Sequence, residues 1–190
     1  MRVKICGITR PEDARKAEEL GADAIGVVLF SDSPRSVTPL RAREIFDAVG
    51  PFTSTVAVTN TRSREELDQI IAIHPDAIQI FHPFIFEKAP GPGIIRAIGP
   101  REPFPDDCSA IIVEESHGKG KLVDLSYAKK VVQLSKVPVI LAGGLNPGNV
   151  AEAIKSVRPY AVDVATGVET SLGIKDPSKM RAFIQESRSA

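Results

Sequence analysis

Two glycine-bearing turns near the end of the chain are the clearest candidates for a binding site. Leu141-Ala-Gly-Gly-Leu145 and Ala165-Thr-Gly167 each close a short apolar run that is typical of a buried strand. Backbone N–H groups approach an anion closely where no side chain intervenes, and the loops after the seventh and eighth strands of a (β/α)8 barrel commonly bind phosphate. We therefore predict a phosphate cup, although a plain tight turn is the alternative. Its expected backbone donors are Ala142, Gly143, Gly144, Ala165, Thr166 and Gly167.

A cysteine at the end of the first apolar run is a second candidate. The two-residue period of a strand puts Val3 and Ile5 on one face. Lys4 and Cys6 then share the other face, which points into a barrel because the apolar pair packs against the helices. Cys6 would lie at the carboxyl end of the strand, where barrel enzymes hold catalytic groups. A thiol there can be a base or a nucleophile, or simply a small buried hydrophobic residue.

The same alternation predicts a buried ion pair. Lys4 and Asp163 lie on the first and eighth candidate strands, which are neighbours in a closed barrel, and both belong to the inward set. We expect them to pair, because a buried charge without a partner costs several kcal/mol, on the order of 3–5.

Eight apolar, β-branched runs that alternate with helical patterns must position these groups. This order is typical of parallel βα units. The runs are Val3–Cys6, Ala24–Leu29, Thr55–Thr59, Ala77–Phe81, Ile94–Ile98, Ala110–Val113, Pro138–Ala142 and Ala161–Ala165. They predict a compact (β/α)8 TIM barrel in one domain over residues 1–190, because a chain of this length with 43% hydrophobic residues can bury one core. An open doubly wound sheet is the alternative.

Helix start signals precede six of the expected helices. They are Thr9 with Glu12 before Pro11–Leu20, Thr38-Pro39, Ser63 with Glu66, a start near Ser126, a start near Asn146-Pro147, and Asp176-Pro177. From His82 to Asp107 the chain is rich in proline and glycine. We therefore expect helices 4 and 5 to be shortened or replaced by loop.

Composition excludes several classes of partner. Lysine and arginine number 24, as do aspartate and glutamate, so no overall field attracts nucleic acid or an anionic membrane. The absence of a long apolar stretch or signal-peptide pattern predicts a cytoplasmic protein. Cys6 and Cys108 are expected to be free thiols. We expect no metal site.

Several motifs, taken in order, resemble phosphoribosylanthranilate isomerase, and archaeal-type members most closely. They are Lys4-Ile-Cys-Gly-Ile-Thr9, Ser33-Pro-Arg35, Gly118-Lys-Gly-Lys-Leu-Val-Asp124, Leu141-Ala-Gly-Gly-Leu-Asn-Pro147 with Asn149-Val150, and Val162-Asp-Val-Ala-Thr-Gly-Val-Glu169 followed by Gly173-Ile-Lys-Asp176. One departure follows the fourth strand, where members usually have Gln-Leu-His-Gly and this chain has Gln79-Ile-Phe-His82.

The resemblance implies an aldose–ketose isomerase of tryptophan biosynthesis. Its reaction is the Amadori rearrangement of N-(5-phosphoribosyl)anthranilate, which needs one acid, one base and no cofactor. By family position Asp124 is the acid, Cys6 is the base, and Arg35 binds the anthranilate carboxylate. Asp124 could instead cap the sixth helix, although Ser126 is the more natural cap. The expected partner is a phosphorylated small molecule, and the expected state is a monomer or a homodimer.

Three other functions stay open from the sequence. A sugar-phosphate isomerase of the histidine pathway runs the same rearrangement, but that family calls for an aspartate in place of Cys6. Another phosphate-binding barrel enzyme, such as an epimerase, would explain the cup but not the set of Cys6, Arg35 and Asp124. A barrel without catalytic activity could also keep the cup as a ligand-binding module.

Overall fold

The chain forms a closed barrel of eight parallel strands in a computed structural model that describes residues 1–86, 91–100, 102, 104–105, 107–114 and 123–190. The strands are β1 (Arg2–Ile5), β2 (Ala24–Leu29), β3 (Ser54–Thr59), β4 (Ala77–Ile80), β5 (Gly93–Ile98), β6 (Ala110–Val113), β7 (Val139–Leu141) and β8 (Ala161–Val164). They pair in the order β1-β8-β7-β6-β5-β4-β3-β2, and pairing of β1 with β2 closes the ring. The predicted barrel is confirmed, and the open sheet is excluded because it would leave both edges unpaired.

Six helices surround the described part of the barrel. They are α1 (Pro11–Glu19), α2 (Pro39–Phe46), α3 (Arg64–Ala72), α4 (Leu125–Leu134), α5 (Val150–Val157) and α6 (Pro177–Ser189). Among the described residues between 82 and 109 there is no helix, in agreement with the proline and glycine content there. Short strands at Ser36–Val37, Glu169–Ser171 and Ile174–Lys175, and a 3-10 turn at Thr166–Val168, complete the secondary structure that the described residues form. In that part of the chain no helix is both long and apolar enough to cross a bilayer.

Most helix starts follow the predicted caps. Thr38, Ser63 and Asp176 each accept a hydrogen bond from a backbone N–H in the first turn of their helix. The Thr9 cap is wrong, because Arg10 is the N-cap of α1 and makes no side-chain cap bond. The Thr9 hydroxyl instead donates to the carbonyl of Gly173 at 2.6 Å, which ties the first loop to the C-terminal hairpin.

The starts of α4 and α5 also differ from prediction. The N-cap of α4 is Asp124 rather than Ser126, and its Oδ1 accepts the N–H of Ser126 at 2.8 Å. Helix α5 begins at Val150 rather than near Asn146, because side-chain bonds hold the intervening residues in a turn. Asn149 Oδ1 accepts the N–H of Asn146 at 2.8 Å, so local side-chain bonding competes successfully with the helix.

Two layers of apolar side chains fill the molecule. The outer layer lies between strands and helices and contains Val3 and Ile5. The inner layer fills the barrel and contains Cys6, with Val56 and Val58 of β3 among its members. The predicted alternation along β1 is therefore confirmed, and it places Lys4 and Cys6 inside the barrel.

Candidate active site

The two turns that are predicted to form the phosphate cup lie at the carboxyl ends of β7 and β8. Ala142, Gly143, Gly144, Ala165, Thr166 and Gly167 all line one cavity of about 180 Å³. Gly143 and Gly144 have φ angles of +94° and +64°, which side chains rarely allow, so the first turn depends on glycine. A Cβ at Gly167 would lie 2.1 Å from the carbonyl oxygen of Leu145. The two turns therefore pack directly against each other.

Five of the six expected donors are available to a ligand. Within the described part of the chain, no group accepts a hydrogen bond from the N–H of Gly143, Gly144, Ala165, Thr166 or Gly167. Ala142 is the exception and corrects the prediction, because its N–H donates to the carbonyl of Val113 at 3.1 Å and continues the pairing of β6 and β7. Unpaired backbone donors around one cavity are suited to an anion.

Cys6 lies in a second cavity, of about 90 Å³, that adjoins the first. Both cavities are lined by Glu114, Asp163 and Ala165. Gly26 on β2 makes room for the thiol, because a Cβ there would lie 2.8 Å from Cys6 Sγ. Phe81 also lines this second cavity, which we call the Cys6 cavity.

The His82 ring makes an edge-to-face contact with Phe84, with 5.6 Å between ring centroids. Among the described residues it is therefore Phe81, and not the histidine that follows it, that lines the Cys6 cavity.

Burial dominates the electrostatics of the thiol. It raises the pKa of Cys6 above the usual value, and the charges of Asp163 and Glu114 act in the same direction. Lys4 and Lys175 oppose this effect by lowering the pKa, but they do not overcome it. In the free protein the neutral thiol is consequently the favoured form at neutral pH.

The predicted ion pair between Lys4 and Asp163 is confirmed. Lys4 Nζ lies 2.8 Å from Asp163 Oδ1 and donates a second hydrogen bond to Gln79 Oε1 at 3.0 Å. Burial lowers the pKa of Lys4, but Asp163 and Cys6 together more than reverse this effect, so the pKa lies above the usual range and the ammonium stays charged. This cluster lies on the inner face of the barrel, beside Cys6.

Arg35 also lines the Cys6 cavity, and a glutamate holds it there. Its Nε and Nη2 donate to the two carboxylate oxygens of Glu169 at 2.8 and 2.7 Å, and Nη2 also donates to Thr166 Oγ1 at 3.2 Å. Lys175 Nζ donates to Glu169 Oε1 at 2.9 Å and to the carbonyl of Ala165 at 3.1 Å. Arg35 is thus connected to the second turn of the phosphate cup.

The charges of this cluster shift its pKa values. Burial favours the neutral form of Glu169, but Arg35 and Lys175 together hold the pKa of Glu169 below its usual value. Burial lowers the pKa of Lys175, against the opposing effect of Glu169. The hydrogen bonds that Arg35 donates to Glu169 raise the pKa of Arg35, which remains a cation.

Asp124 is not among the residues that line either cavity. It is exposed, and its Oδ1 accepts the backbone N–H groups of Ser126 and Tyr127. The preceding residue approaches the cup, because Val123 N–H donates to the carbonyl of Gly143 at 3.4 Å. Residues 115–122, which hold most of the glycine-lysine loop before Asp124, lie outside the described residues.

Three charged residues of the site are not among those that the sequence predicts, and they are Glu114, Glu169 and Lys175. Glu114 directly follows β6, and the rule that pointed to Cys6, a polar side chain at the carboxyl end of a strand, could have found it. Glu169 and Lys175 lie on a short hairpin whose local pattern carries no sign of burial. In the described residues no group of three or more His, Cys, Asp or Glu side chains is arranged to hold a metal ion.

The closed ring of eight parallel strands, each βα unit followed by the next, defines the (β/α)8-barrel class of protein. A family model described as "N-(5'phosphoribosyl)anthranilate (PRA) isomerase" matches residues 3–186. The chain belongs to this family.

Individual relatives agree with the family match. A protein of Methanoregula boonei named N-(5'-phosphoribosyl)anthranilate isomerase is 59% identical over 191 residues, which cover 100% of this chain and 98% of that protein. The crystal structure of phosphoribosyl anthranilate isomerase from Thermus thermophilus has a TM-score of 0.86 at 35% identity, covering 100% and 99% of the two chains. A second structure of such an isomerase, in complex with reduced 1-(o-carboxyphenylamino)-1-deoxyribulose 5-phosphate, has a TM-score of 0.81 at 32% identity and covers 100% of both chains.

Proposed function

We propose that this chain catalyses the Amadori rearrangement of N-(5-phosphoribosyl)anthranilate to 1-(2-carboxyphenylamino)-1-deoxyribulose 5-phosphate, an isomerisation of tryptophan biosynthesis. The observation that carries the proposal is the pair of adjoining cavities beside Cys6, one with free backbone donors and one with a buried arginine. The substrate has a phosphate at one end and a carboxylate at the other. The two cavities suit these two anions.

Each anion has its own recognition chemistry. The phosphate would accept hydrogen bonds from the N–H groups of Gly143, Gly144 and Gly167 and their neighbours in the cup. The carboxylate would bind Arg35, whose Nη1 donates to no described residue. In this arrangement the reacting sugar carbons would lie between the two ends of the substrate, near Cys6.

The chemistry then requires two proton transfers. In our proposal Asp124 protonates the furanose ring oxygen, and the bond from that oxygen to C1 breaks to give a Schiff base. The thiolate of Cys6 removes the proton on C2, and the electron pair moves toward the imine nitrogen to form an enolamine, which tautomerises to the ketone. The surrounding barrel excludes water, since Cys6 is only 7% exposed.

The experiment that tests this function is a fluorescence assay of freshly prepared phosphoribosylanthranilate with the wild-type protein and Cys6→Ala. We expect turnover by the wild type and a loss of about 10²–10⁴-fold in kcat for Cys6→Ala. Cys108→Ala is the matched control, because Cys108 packs against the outer layer and should leave kcat unchanged. A folded wild-type protein that binds phosphate without turnover would instead favour the ligand-binding module, and turnover of other sugar phosphates alone would favour an epimerase or another isomerase.

Residues 1–190 are in our proposal one cytoplasmic domain that acts as a monomer or a homodimer. Light scattering of the purified protein decides between the two states, and limited proteolysis tests whether a second domain separates.

A further inference from the structure

The cluster around Glu169 holds an unbalanced charge. Arg35, Glu169 and Lys175 have side chains that are only 8%, 5% and 0% exposed. Two cations therefore share one carboxylate in a buried place. Within the described residues no second carboxylate forms an ion pair with either cation, because Asp13 accepts from Lys175 only through its backbone N–H. Because uncompensated buried charge is costly, such a cluster is expected to attract a further anion.

The geometry shows which side of the arginine remains for that anion. Glu169 accepts from Nε and Nη2, which is the bidentate edge of the guanidinium. Thr166 accepts from Nη2 as well, so Nη1 is left to a ligand. The arginine stem passes over Gly7, where a Cβ would lie 2.6 Å from Arg35 Cδ. This close approach brings the side chain next to Cys6.

Glu169 is itself held in place from two directions. Lys175 Nζ donates to its carboxylate, and Lys179 Nζ donates to its backbone carbonyl at 2.7 Å. Neither contact involves a ligand. The carboxylate therefore has a fixed position before Arg35 binds anything.

We propose that Glu169 is a positioning residue, which holds the Arg35 guanidinium in the Cys6 cavity so that Nη1 faces the carboxylate of the substrate. Glu169 does not contact the reacting atoms in this proposal, and it acts only through the arginine. The inference rests on the proposed function, because the ligand of Arg35 is taken to be the anthranilate carboxylate.

Two variants separate position from charge. Glu169→Asp keeps the negative charge but draws the carboxylate back by one methylene group, while Glu169→Gln keeps the length and removes the charge. We expect either variant to raise KM by roughly 10- to 100-fold, the effect of losing a charge-assisted hydrogen bond, with kcat within about threefold of the wild type. Glu152→Gln is the matched control, because this exposed residue of α5 lies outside the site and should leave both constants unchanged.

A double-mutant cycle with Arg35→Met tests whether Glu169 affects KM through the arginine or only by stabilising the fold. If Glu169 acts through Arg35, Glu169→Asp should raise KM by less than about twofold further once the arginine is gone. An equal rise in both backgrounds would overturn the proposal, as would an unchanged KM in the wild-type background. Circular dichroism establishes that each variant is folded, and the charge-conserving Asp variant decides the question if the Gln variant does not fold.

Inhibition by anthranilate and by inorganic phosphate separates this inference from the proposed function. Anthranilate should bind Glu169→Asp about 10-fold or more weakly than the wild type, while phosphate should bind both within about threefold. If the wild type shows no turnover, the proposed function fails, and anthranilate binding measured by calorimetry still tests Glu169. Equal anthranilate binding by both proteins would then overturn the role of Glu169.

Discussion

Replacing Lys4 by methionine should be among the most destabilising single changes to this barrel. The substitution keeps most of the side-chain volume but removes the ammonium that donates to Asp163 and Gln79. Asp163 is left with a carboxylate whose side chain is only 9% exposed. Breaking a buried pair by removing one partner typically costs about 3–5 kcal/mol, because the remaining charge has neither water nor a counter-ion.

The magnitude can be measured by urea unfolding of Lys4→Met and of a surface control. For a chain of this size the expected loss of about 3–5 kcal/mol in the free energy of unfolding corresponds, in thermal unfolding, to a drop in Tm of about 6–20 °C. Lys155→Met removes an exposed lysine from α5 and should change the free energy of unfolding by no more than about 0.5 kcal/mol. The double variant Lys4→Met/Asp163→Asn should regain about 1–3 kcal/mol over Lys4→Met, because no buried charge is then left alone.

The dependence on pH distinguishes a lost charge partner from lost packing. Protonation neutralises an unpaired carboxylate, so the deficit of Lys4→Met relative to the wild type should shrink between pH 8 and pH 5. Packing alone predicts a deficit that is the same at both values. A loss below about 1 kcal/mol at pH 8, or a double variant no more stable than the single one, would refute the argument from buried charge.

Four further predictions concern the chemistry. Because burial raises the pKa of Cys6, kcat/KM should rise with pH up to and beyond the usual thiol range near 9. Cys6→Ala should lack this rise, and a flat pH profile in the wild type would argue against a thiolate base. Arg35→Ala should raise KM about 10- to 100-fold in steady-state assays and lower kcat by less, and the reverse pattern would contradict carboxylate binding. Asp124→Asn keeps a good helix cap while removing the acid, so kcat should fall about 10²–10⁴-fold with little change in Tm, and full activity would assign the acid elsewhere. Gly167→Ala places a Cβ against the carbonyl of Leu145, so inhibition by inorganic phosphate should weaken at least about 10-fold together with a lower Tm; unchanged inhibition would place the anion outside the cup.

The barrel could be predicted from the sequence because its signals are local and repeated. Each of the eight strands lies within a residue or two of an apolar run, and the pairing of β1 with β8 follows from closure. Helix starts were less predictable where a cap residue has a competing partner. Thr9 is bonded to Gly173, 164 residues away, and no local pattern reveals such a contact.

The site residues likewise include some that local sequence patterns predict and some that they do not. Cys6 and the cup turns sit at strand ends, where the two-residue period and the glycines specify their placement. The partner of Arg35 could not be predicted, because Glu169 reaches it from a hairpin 134 residues away and only tertiary packing brings them together. Side-chain pairs of this kind can be identified only once the three-dimensional fold is known.

The environment of Cys6 bears directly on the role of base that we propose for its thiol. Burial has the largest effect and raises the pKa of the Cys6 thiol, while Lys4 acts against it and Asp163 adds to it. The thiol therefore ionises only at a pH above its usual range, and a base with a higher pKa accepts a proton more readily once it has ionised. A small thiolate fraction lowers the rate of the proposed proton transfer, whereas a more basic thiolate raises it, so the two effects oppose each other. Gly26 sets the spatial limit, because any side chain there would press on both Cys6 and Lys4 and disturb this balance.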